Sequence, residues 1–177
     1  MSDSSNASTA SLALLAIDSL TEFERVVDSV PAPGRGGAIG RLNPAWVTVL
    51  HVTRQADFLQ SFATGGVRDP WVVEHADDEV APPFDDMRAA LARTRERLAG
   101  FCATATTEDL ERIPLTESVE GLPPHLAGVP LQQLLARTTA HLFAHAGELS
   151  ALASLVGAPD LSLPGVMAAS CGLDAVG

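Results

Sequence analysis

The apolar residues of this chain recur mostly at steps of three and four. Leu12, Ala16, Leu20, Phe23, Val27 and Val30 mark one face of an amphipathic helix that Pro31 and Pro33 stop. A second helix is expected after Asn43-Pro44, with Asn as N-cap and Pro in the first turn, running to about Ala63 before Gly65-Gly66. A third begins near Phe84, with Asp85 and Asp86 favouring the positive end of its dipole. Its stripe is Phe84, Met87, Leu91, Leu98 and Phe101, and Arg88, Arg93, Arg95, Glu96 and Arg97 cover its other sides. The fourth, strongly apolar, spans about Leu131 to Val156 and stops at Gly157-Ala158-Pro159.

Between these stripes the pattern breaks. Residues 31–43 read as a Gly/Pro loop whose glycines do not fit a dinucleotide-binding spacing, because Ile39 stands where the third glycine would fall. Residues 65–83 read as a long polar connection, Thr107 to Arg112 as a turn of helix, and 113–130 as an irregular stretch with four prolines and a short strand near Val119. Residues 1–10 read as a flexible leader, 11–158 as the helical domain and 159–177 as a loosely packed tail. Four long helices in one small domain predict an all-α fold, a four-helix bundle.

Composition narrows the function classes. The 177 residues, 46% hydrophobic and 19% charged, suit one globular domain with a real core. All eleven basic residues are Arg, and the net charge is −11. That balance argues against a nucleic-acid partner, a DNA-acting regulator included, and against docking on anionic lipid. No segment approaches the roughly 18 unbroken apolar residues of a membrane span, and the N-terminus lacks the basic start of a signal peptide. A soluble, cytoplasmic protein is expected, with Cys102 and Cys171 as free thiols.

The candidate chemistry lies in the fourth helix. His141 and His145 are four apart and therefore stack on one helical face, together with Leu134, Thr138, Glu148 and Leu152. Imidazoles on an apolar face need partners, and one divalent ion satisfies both. His51, mid-helix with Val47, Phe58 and Phe62 on its face, is the best third ligand; His75 and His125 lie in expected loops. Two hydrogen-bonded core histidines are the competing reading of the pair. Glu148 is open between a fourth ligand, a hydrogen-bond partner of a ligand ring and a simple salt bridge. Residue 142 is Leu, so this is not the His-Glu-x-x-His of metalloproteases.

One His in the second helix, His141-Leu-Phe-Ala-His145 in the fourth, and Ala146-Gly147-Glu148 after it resemble the DinB/YfiT-like superfamily, whose pair is often followed by x-Gly-Gln. The resemblance covers most of residues 12–156. It implies a four-helix bundle with long crossover connections, a divalent metal (zinc or nickel) on His51, His141 and His145, and frequent homodimers. It also implies a metal-dependent enzyme (a transferase, isomerase or hydrolase), one that could use mycothiol or a similar low-molecular-weight thiol on a small-molecule substrate, the metal activating the thiol. Glu148 and Arg54 are then the residues expected to orient or neutralise groups in catalysis. The alternative is a non-catalytic metal- or ligand-binding helical module that dimerises.

Overall fold

The computed structural model describes residues 3–75, 79–114, 126–159 and 161. Among these there is no strand, only an isolated bridge between Ile39 and Leu42. The expected strand at Val119, the loop at His125, Cys171 and nearly all of the tail lie outside the described residues.

Four long helices dominate: α1 (Asp3–Ser29), α3 (Ala45–Ser61), α5 (Phe84–Cys102) and α7 (Leu131–Leu155). Three one-turn helices, α2 (Ala32–Gly36), α4 (Pro70–Glu74) and α6 (Thr107–Glu111), interrupt the connections. α1 begins at Asp3, inside the segment expected as a leader; no Pro or Gly precedes Leu12 to break the helical backbone. The stripe predicted for α1 is the buried one: Ala16, Leu20, Phe23, Val27 and Val30 are core residues, and Leu12 packs at its edge. Met87, Leu91 and Leu98 of α5 and Leu134, Leu142, Leu149 and Leu152 of α7 complete that core.

Helix boundaries differ from expectation where the signal was local. Pro44, not Asn43, is the N-cap residue of α3, and no side chain caps it. The helix ends at Ser61, and the chain turns through Gly65 and Gly66, whose φ values of 72° and 88° few other residues adopt. α2 and α4 stand in segments expected as loops. Asp69 and Pro70 account for α4: the Asp69 carboxylate accepts the amides of Trp71 and Val72, and Pro70 needs no partner in the first turn.

Each long helix packs on two others. α1 rests on α5 and α7, and so does α3, so α1 and α3 lie diagonally opposite, as do α5 and α7. Consecutive long helices on a diagonal require connections that cross an end of the assembly, which residues 30–44 and 103–130 are long enough to make. Directions follow from contacts. Asp28 pairs with Arg88 and Glu24 with Arg95, so α1 and α5 run antiparallel. Arg112 donates to the Phe62 carbonyl just past α3, and its own carbonyl accepts from the Leu131 amide at the start of α7. The C-terminal end of α3 therefore meets the N-terminal end of α7, and those two helices also run antiparallel.

Candidate metal centre

His51 comes from α3 and His141 and His145 from α7, and the packing of these two helices brings all three rings together. The Nε2 atom of His141 is 3.1 Å from Nε2 of His51 and 3.1 Å from Nε2 of His145. The three rings are inclined to one another by 66–77°, so they converge on one point and do not stack. Two imidazole nitrogens bound tetrahedrally to zinc at about 2.0–2.1 Å lie about 3.3 Å apart. The observed separations match that value, and three neutral imidazoles are a donor set that zinc or nickel accepts.

The setting is less enclosed than the sequence suggests. His51 is exposed, and His141 and His145 are half-buried. Leu134 and Leu152 are buried beneath the α7 face, while Val47 and Phe58 of α3 are only partly covered. The cluster therefore sits on the rim of the α3–α7 seam and not within the core. The helical period predicts that the histidines face the core; His141 and His145 occupy the edge of the buried face, and His51 is exposed.

Partial burial and mutual repulsion set the charge state. The His141 ring is pushed down to about 4 by desolvation first, then by the neighbouring His145, His51 and Arg137. His51 is lowered by desolvation, then by His145 and Arg54, with Glu148 acting the other way. Near neutral pH both rings are thus held unprotonated, as metal coordination requires. On the far side of His145, the Nδ1 atom lies 2.6 Å from a carboxylate oxygen of Glu148, one turn along α7.

The other candidates lie apart. His75 closes α4, its Nδ1 2.8 Å from the Trp71 carbonyl and its ring stacked on Trp71 at 4.1 Å. Cys102 is free and half-buried, and burial pushes its thiol up to about 11. Arg54 is exposed one turn from His51. Arg137, not singled out from sequence, acts electrostatically on His141; its position four residues before His141 was the available signal.

The profile of the DinB superfamily matches residues 9–149, most of the chain and every residue of the cluster. The chain belongs to the DinB superfamily. No curated protein and no solved structure gives a significant match. In this DinB protein the helical fold and the close grouping of His51, His141 and His145 are compatible with a metal site.

Proposed function

We propose that this DinB-superfamily protein is a metal-dependent enzyme that holds one divalent ion, zinc or nickel, on His51, His141 and His145. The convergence of three Nε2 atoms, 3.1 Å from His141 to each neighbour, carries the reading. When bound, such an ion supplies Lewis acidity and lowers the pKa of a coordinating thiol or water.

The chain's own residues have definable parts in this scheme. Three imidazoles leave an open position for a ligand, and the exposure of His51 gives that position access from solvent. Glu148 accepts the Nδ1–H of His145, which leaves the Nε2 lone pair of that ring directed into the cluster. That contact favours the partner role for Glu148 over a fourth ligand. Arg54 stands where it can orient or neutralise an anionic group of the substrate. The reaction class is thiol transfer or thiol-assisted isomerisation with mycothiol or a similar cosubstrate, in a cytoplasmic homodimer.

The test is to titrate zinc-loaded protein with low-molecular-weight thiols by calorimetry. Binding or turnover of one of them supports the enzyme. If none binds or reacts and Glu148→Gln loses its metal, the site is closed and structural, and the chain is a metal-stabilised binding module.

A further inference from the structure

The histidine cluster is flanked differently at its two ends. Because α3 and α7 run antiparallel, a step toward the C-terminus of α3 and a step toward the N-terminus of α7 lead to the same end, the one that Arg112 bridges. In that direction α3 places Arg54 one turn beyond His51, and α7 places Arg137 one turn before His141. Both arginines are exposed. In the other direction α7 places Glu148, whose carboxylate is engaged by His145. One end of the site is therefore cationic and the other acidic.

Three residues of helix, from His51 to Arg54, advance about 4.5 Å, and four, from Arg137 to His141, about 6 Å. Long arginine side chains one turn from the cluster thus put their guanidinium groups within a few bonds' reach of a ligand seated on the histidines. On a chain of net charge −11, a distant anion is repelled, so capture of one needs local cations at the binding position. The planar guanidinium fork matches a carboxylate.

We infer that the site takes an organic anion, with a donor atom on the ion held by the three histidines and a carboxylate a few bonds away held by Arg54 and Arg137. This rests on the metal reading above. It adds the substrate class, a carboxylate-bearing small molecule, and a specificity role for Arg137.

The test loads the full chain with cobalt(II), whose visible absorption reports its ligands, and titrates it with 3-mercaptopropionate and with uncharged 3-mercaptopropan-1-ol. At low ionic strength the carboxylate is expected to bind about tenfold more tightly, the effect of two exposed charge pairs together. Roughly 1 M salt should erase that preference in the wild type. Arg54→Gln and Arg137→Gln should each reduce it and the double variant remove it, with cobalt content and the spectrum of the thiol-free protein unchanged. Equal affinity of the two thiols, failure of both to bind, or a preference that survives salt or the double substitution overturns the inference while leaving the metal site standing. Failure of the wild type to take up cobalt overturns both.

Discussion

His141 lies between the other two imidazoles, and its pH behaviour follows from that placement. Its folded-state pKa of about 4 is below the ordinary 6.5. Between those values the unfolded chain holds more protons than the folded one, so the metal-free protein loses stability as pH falls through that window. Urea midpoints at pH 7 and pH 5 should show the loss. Glu24, whose carboxyl is raised by burial, acts the opposite way, so His141→Gln is the control. The variant should depend less on pH; an unchanged dependence would assign the effect elsewhere. At this scale the sequence was informative about which residues meet, because a four-residue spacing stacks side chains whatever surrounds the helix. It could not say how deep they sit, which depends on how α3 lies across α7, or which atom of His145 faces Glu148, which depends on the rotamer of the ring.

A set of ion pairs ties three helices together at a place no periodicity marks. The Asp57 carboxylate, fully buried on α3, receives Arg68, Arg97 and the Asp69 amide. Asp69, before α4, receives Arg93 and Arg97 from α5. Arg93 first, with Arg97, holds the Asp69 carboxyl down at about 2, against an ordinary 3.8. Its contribution is complete above about pH 4 and lost as pH falls through about 2. Asp57→Ala leaves Arg68 without its carboxylate and Arg97 with Asp69 alone. It should cost about 3 kcal/mol in urea unfolding, the low end for a broken buried pair because the arginines keep some solvent; a loss under about 1 kcal/mol would show that the network is dispensable. Gly34 of α2 is a second such contact. A methyl group there would lie 2.9 Å from Leu152 and 3.1 Å from Val156, so Gly34→Ala should destabilise by about 1 kcal/mol in the same assay. The long helices were legible from their stripes. α2 was not, because one turn carries no period, and α4 was announced only by Asp69-Pro70, which also reads as a turn. The arginines of α5 could be read as a polar face, but their partners come from α1, α3 and the residue before α4, and are visible only once those elements are adjacent.

Across the whole molecule, the diagonal placement of α1 against α3 and of α5 against α7 gives the site its form. α3 and α7 are far apart in sequence yet adjacent and antiparallel, so one histidine from the first and two from the second meet on their shared seam. The DinB profile, over residues 9–149, spans most of this framework. An ion that binds only the folded arrangement must also stabilise it, in proportion to the logarithm of its concentration above the dissociation constant. Melting temperature should therefore climb with added zinc in the wild type and stay flat in His51→Ala. A parallel rise in both would place the binding elsewhere. The most direct test is the metal content of protein purified without an affinity tag, measured by plasma mass spectrometry beside His141→Ala. About one equivalent of zinc or nickel in the wild type, absent from the variant, is the predicted result; a wild type that carries no metal and takes up none when supplied would contradict the account and make the three histidines ordinary side chains of the α3–α7 seam.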